Sequence, residues 1–123
     1  MSEGDAEQLV DRFLSTWPRG DVEEWLAFFS DDAIYHNIPL EPAVGTDAIR
    51  AHMHEFLGFM DAGIRPEVHY QVSDGTIVMN ERTDHYEVGG QAKSLPICGV
   101  FEIENGRIIR WREYFDLSRL SGV

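Results

Sequence analysis

Arg82 and Asp84 stand two apart in one apolar-flanked stretch, and Glu113 stands two after Trp111 in another. Side chains at i and i+2 of a strand share a face. If both stretches are extended, an arginine and two carboxyls can therefore converge inside one small core. Tyr35 and Asn37 repeat the spacing in a third stretch, so three polar pairs would line one cavity. Two carboxyls around one guanidinium suggest acid–base chemistry, because adjacent carboxyls resist ionising together while the single cation compensates only one charge. Buried, such a set needs further hydrogen bonds, since desolvating an ion pair can outweigh its attraction. On a surface the same Arg82 and Asp84 would be a strand pair worth at most about 1 kcal/mol. Trp111 taken alone is core, and Tyr35 with Asn37 taken alone is a hydrogen-bonded pair at a strand edge.

These side chains depend on the elements that carry them. Leu9, Val10, Phe13, Leu14 and Trp17 recur at helical spacing until Pro18 and Gly20 stop the run, which predicts a first helix. Asp21 caps a second, with Val22, Trp25, Leu26 and Phe29 on one face and residues 30–32 ending it. A short strand over 33–38 carries Tyr35 and Asn37. Thr46 then caps a third helix through Ile49, Met53, Phe56, Leu57 and Met60. Four strands follow over 64–73, 76–87, 94–104 and 107–115, separated by Asp74-Gly75, Gly89-Gly90 and Asn105-Gly106, which are hairpin signals. Within residues 76–86, Val78, Asn80, Arg82, Asp84 and Tyr86 share one face. Helices first and an antiparallel meander afterwards predict an α+β architecture, with a curved sheet wrapped over three N-terminal helices. Strands this long are expected to bend at bulges and enclose a pocket.

At 123 residues the chain is expected to form one domain over 1–123, able to bury roughly two thirds of its unfolded surface. With 43% hydrophobic and 11% aromatic residues, it reads as globular despite a formal net charge of −12. That charge, with no stripe of basic residues, excludes nucleic acid as a partner. No segment approaches the ~20 apolar residues of a membrane span, and MSEGDAEQLV has no leader pattern, so no membrane association and a cytoplasmic location are expected. Cys98, the one cysteine, reads as a small buried hydrophobe. His36, His52, His54, His69 and His85 lack a metal-ligand spacing, and no nucleotide or nucleophilic-serine fingerprint occurs, so neither metal nor cofactor is expected.

Together the segments IYHNIPLEPAVGTDAI, NERTDHY and LPICGVFEIENGRIIRWREYFDL, in that order, resemble the limonene-1,2-epoxide hydrolase family over about residues 7–120. The resemblance implies a cystatin-like cone, a strongly curved, mostly antiparallel sheet with the helices packed in its concave face. Ketosteroid isomerases and polyketide cyclase-like proteins share that cone. It also implies a homodimer through the sheet and cofactor-free hydrolysis of an epoxide. In the family an Asp-Arg-Asp set opens the ring in one step, and by resemblance Arg82 bridges, Asp84 is the acid, and Tyr35 and Asn37 hold the water. Where the family has aspartate as the base, this chain has Glu113, one methylene longer. Base and acid must be in opposite protonation states, so Glu113 is expected ionised and Asp84 protonated near neutral pH.

Trp111, Leu14, Phe56, Leu57, Met60, Leu95, Ile97, Phe101 and Leu120 are expected to wall the pocket, a lining that selects a small hydrophobic, terpenoid or cyclic substrate. Two other readings stay open. One is an isomerase or cyclase on the same cone, with a carboxylate abstracting a carbon-bound proton. The other is a non-catalytic small-molecule binder or dimerisation module.

Overall fold

The computed structural model describes residues 3–120. Helix α1 spans Glu3–Ser15, and Pro18 makes the next turn a 3-10 helix, Trp17–Arg19. Asp21 then caps α2, Val22–Leu26, its carboxylate accepting from the Glu23 and Glu24 amides. Strand β1 (Phe29–Asn37) leads to the two-residue β2 (Ala43–Val44) and to α3 (Thr46–Gly58). Four long strands complete the chain: β3 (Arg65–Ser73), β4 (Ile77–Val88), β5 (Gln91–Glu104) and β6 (Arg107–Tyr114). A final 3-10 turn covers Leu117–Arg119.

The six strands form one sheet in the order β2-β1-β6-β5-β4-β3, antiparallel except where β1 lies parallel to β6. The three hairpins turn at the expected dipeptides. Asn105 and Gly106 both take positive φ, 52° and 74°, as a two-residue hairpin loop matched to the strand twist requires. Bulges interrupt β1 against β6, β3 against β4 and β5 against β6. The last lets Ile108 and Trp111 both face inward although their spacing is odd.

The helices fill the concave face of this α+β cone. Ala6, Leu9, Val10, Phe13 and Leu14 of α1 pack with Val78, Phe101, Ile103, Ile108 and Trp111 of the sheet in one continuous core. Phe13 sits at its centre, with ring contacts to Trp17, Phe28, Phe29, Phe101 and Trp111 at 5.2–6.3 Å. No helix among the described residues is long and apolar enough to cross a membrane.

Several details differ from the sequence expectation, the unexpected strand β2, the start of β5 at Gln91 and the end of α3 at Gly58 among them. The second helix stops at Leu26, and Phe29 already belongs to β1, paired with Ile108. A β1 register shift after Phe29 carries the polar residues 30–32 on the strand, where they had read as a stop. Gly45, not Thr46, is the N-cap of α3, because the Thr46 hydroxyl donates to the Asp31 carbonyl instead. Cys98 is only half-buried, in register with Glu81 and Tyr114 on the outer side of the sheet.

Candidate active site

Two rows of register partners cross the inner face of the sheet. Asn80, Gly99, Glu113 and Asn37 lie side by side on β4, β5, β6 and β1; one row along, Val78, Phe101, Trp111 and Tyr35 do the same. The parity of β4 adds Arg82 and Asp84 to this face. Gly99 lies under the polar group: a Cβ there would collide with Glu113 Oε2 and come within 2.6 Å of Arg82 Nη1 and 3.2 Å of Asn80 Oδ1. The missing side chain is what lets the guanidinium lie over the β5 backbone.

Arg82 is completely buried, and each of its five N–H groups has an acceptor. Nε and Nη2 donate to Asp84 Oδ1 and Oδ2 at 3.0 and 3.1 Å. Nη2 also donates to Glu113 Oε1, and Nη1 to Glu113 Oε2 at 3.2 Å and to Asn80 Oδ1 at 2.9 Å. The Trp17 ring covers the guanidinium carbon at 4.9 Å, a cation–π contact. The surface-pair alternative is thereby removed, since Asp84 and Glu113 are 5% and 3% exposed. The extra methylene of Glu113 does not prevent it from engaging Arg82 with both oxygens.

Burial works against the charge on Arg82, but Glu113 and Asp84 outweigh it and hold the guanidinium above its ordinary pKa. One cation shared by two acids leaves Glu113 under-compensated. Burial pushes its carboxyl up to about 7, with Arg82 pulling the other way and Asp84 adding to the rise. Glu113 therefore keeps its proton to higher pH than an ordinary carboxyl, where the sequence argument expected it ionised near neutral pH. A base poised at the working pH combines an adequate ionised fraction with useful proton affinity. Burial, and then the Glu113 charge, raises the Tyr35 phenol well above its usual range, so Tyr35 stays a hydrogen-bond donor.

Tyr35 stacks on Trp111 at 4.2 Å with the rings 8° apart, and Trp111 stacks in turn on Phe101 at 5.6 Å. The Trp111 indole N–H is buried without a hydrogen bond of ordinary geometry among the described residues, and its pull on the nearby Glu113 carboxyl is a weak lowering one. Asp84, Glu113, Asn37, Tyr35 and Trp111 face a common pocket, while Arg82 and Asn80 lie behind its floor. Phe56, Met60, Leu95, Ile97 and Leu120 line its wall. Leu14, Leu57 and Phe101 do not line it: Leu14 and Phe101 are core under α1 and the sheet, and Leu57 packs against that core from α3. Asp116 turns away, its carboxylate accepting from the Ser118 amide and hydroxyl.

The family model of the limonene-1,2-epoxide hydrolase catalytic domain matches residues 4–121. The chain belongs to the limonene-1,2-epoxide hydrolase family. Among curated relatives, epoxide hydrolase EphG of Mycobacterium tuberculosis is 32% identical over 108 residues, 88% of this chain and 71% of that protein. Monooxygenase AgnL5 of Paecilomyces divaricatus is 26% identical over 87% of this chain and 64% of its own length. The structure of an M. tuberculosis LEH-like epoxide hydrolase superposes with a TM-score of 0.82 at 29% identity, covering 98% of this chain and 89% of that one. A putative polyketide cyclase of Xanthomonas campestris superposes with a TM-score of 0.80 over 96% of this chain and 95% of its own, and at 23% identity shares the fold alone.

Within this family member, the structure adds residues that the sequence left unassigned. Asn80, two before Arg82 on the same face, takes the fifth guanidinium N–H. Strand parity had already placed it there; nothing in a lone asparagine marked it as an arginine acceptor. Trp17, Trp25, Met53, Ile64, Tyr86 and Phe115 complete the pocket wall. Tyr86 is the next inward residue after Asp84, and its ring is buried. His52 Nε2 lies 2.7 Å from Asn37 Nδ2.

Proposed function

We propose that the protein is a cofactor-independent epoxide hydrolase that adds water to a small lipophilic epoxide, terpenoid or cyclic, and releases a vicinal diol. Glu113 takes a proton from water while the water oxygen forms a bond to one epoxide carbon. The C–O bond of that carbon breaks, and Asp84 delivers a proton to the departing oxygen. Arg82 ties the two carboxyls together, and Tyr35 and Asn37 hold the water beside Glu113. The cycle leaves Glu113 protonated and Asp84 ionised, so a proton passes back before the next turnover.

One observation carries this reading: a single buried guanidinium is bonded to two carboxyls that both open on the floor of an apolar pocket. Base and acid are thereby in one place with a cation to balance them, and the wall favours a substrate without charge. The test is turnover of a panel of racemic epoxides with diol detected. Asp84→Asn and Glu113→Gln are each expected to lower kcat at least about a hundredfold; diol formation undiminished in both variants would sink the mechanism.

A second reading is an isomerase or cyclase, in which a carboxylate removes a carbon-bound proton and Tyr35, held protonated, donates to the resulting enolate oxygen. Products with no oxygen from labelled water would favour it. A homodimer through the outer sheet face belongs to the proposal as well. Tyr70, Val72, Met79 and Tyr114 are exposed there, and light scattering of the purified protein tests it.

A further inference from the structure

His52 of α3 stands outside the arginine network and does not line the pocket. Its ring is wedged edge-on between Tyr35, at 5.1 Å, and Phe56, at 4.9 Å. Its Nε2 meets Asn37 Nδ2 at 2.7 Å. An amide nitrogen only donates, so the ring nitrogen accepts, and the neutral imidazole must carry its proton on Nδ1. The bond uses the NH2 end of Asn37, whose side chain also hydrogen-bonds with Tyr35, so the carbonyl oxygen is the end free to serve the pocket that Asn37 lines.

We propose that His52 is a positioning residue: by accepting from the Asn37 amide it holds the Asn37 carbonyl beside Glu113, and so fixes the direction in which the attacking water points its lone pair. The proposal rests on the hydrolase reading. Glu113 is the register partner of Asn37 across β1 and β6, so one water can reach both. That water has two hydrogens and two lone pairs. Donating to Glu113 and to Asn37 Oδ1 uses the hydrogens, a bond from the Tyr35 hydroxyl uses one lone pair, and the other is free to attack carbon. With the amide turned over, its NH2 would bind the second lone pair, and the water would have none to offer.

Protonating His52 forces that inversion, because Nε2 becomes a donor and calls for the amide oxygen. Burial is the largest influence on His52 and lowers its pKa below the ordinary histidine value, while Glu55 of the same helix acts against it. The neighbouring β1 presents uncharged Tyr35 and Asn37, with Glu113 beyond; β2 contributes only Ala43 and Val44; and Glu23 of α2 is held by Arg50. The accepting form is thus the one maintained at neutral pH. On acidification Glu113 takes its proton first and His52 second. The fall of kcat/KM is therefore expected to steepen from about tenfold per pH unit towards about a hundredfold.

The experiment joins a spectrum to kinetics. Long-range proton–nitrogen NMR of the 15N-labelled protein is expected to show neutral His52 protonated on Nδ1 with a bare Nε2. His52→Leu, which removes the acceptor, is expected to lower kcat about tenfold or more with KM nearly unchanged. His52→Gln offers a carbonyl that accepts the same bond without titrating, so it is expected to recover most of kcat and to lose the steepened limb. A proton on Nε2, or a kcat in His52→Leu equal to that of the parent, overturns the proposal while diol formation leaves the hydrolase reading standing. The expected tautomer in a protein that turns over no epoxide does the reverse: the hydrolase reading fails, and His52 still sets the Asn37 amide.

Discussion

Arg82 has as many acceptors as it has N–H groups, and all of them are buried, so its worth to the fold lies in what its removal would expose. Arg82→Gln strips the cation from two carboxyls 5% and 3% exposed, and a buried charge left without its partner costs about 3–5 kcal/mol. Urea unfolding at pH 7 is expected to show a loss of that order. The loss should shrink on acidification as the carboxyls neutralise. Arg82→Lys keeps the charge but brings only three donors on a point, so it should recover part of the stability and little activity. Equal stability of the Gln variant and the parent at pH 7 would mean that the network contributes nothing net. At this scale the convergence of Arg82, Asp84 and Glu113 was legible in the sequence, since i, i+2 parity is a local property of a strand. The charge state of Glu113 was not, because it depends on how deep the carboxyl lies, and parity specifies a face without a depth. The same gap explains Leu14, Leu57 and Phe101, whose apolar spacing marks an inward face but not whether that face meets core or cavity.

Gly99 shows what the elements add. Read along β5 it is one glycine in an apolar run; read across the sheet it separates Asn80 from Glu113 and gives the guanidinium its seat. Gly99→Ala is expected to displace the network, costing about 1–3 kcal/mol as overpacking and most of the turnover. Thermal unfolding and diol assays check both, and an alanine variant with native stability and rate would show that the network can shift without cost. Hairpins were legible because Asp74-Gly75 and Asn105-Gly106 state their own geometry. The two residues of β2 carry no periodicity, and the end of α2 was hidden because Phe29 fits the helical spacing as well as it fits the strand that pairs with Ile108. His52 was weighed only as a metal ligand, since its neighbour Asn37 lies 15 residues away and comes within reach only when α3 packs on β1.

For the molecule as a whole, the most telling quantity is how stability changes with pH. Glu113 titrates at 4.5 in an ordinary environment and at about 7 in the fold. Between those values the folded protein keeps a proton that the unfolded chain has released. The contribution is complete below 4.5 and is lost as pH rises through about 7, a change of about 3 kcal/mol. The exposed carboxyls Glu23, Glu24, Glu67, Asp74 and Asp116 are shifted down, so their contributions vanish only on acidification below the ordinary carboxylate range, outside this window. His52 is shifted down from 6.5 and acts oppositely, favouring the fold as pH rises towards that value. The net charge of −12 adds self-repulsion that grows with pH. Subtracting the curve of Glu113→Gln removes the contributions of the exposed carboxyls and of His52, and leaves that of Glu113 together with its coupling to Arg82 and Asp84. The stability of the parent minus that of the variant, from urea unfolding at constant ionic strength, is expected to fall by about 3 kcal/mol from below pH 4.5 to above pH 7 and to level off beyond. Parallel curves would mean that Glu113 is as ionised in the fold as in water, and burial would then give this base no more proton affinity than a free carboxylate has.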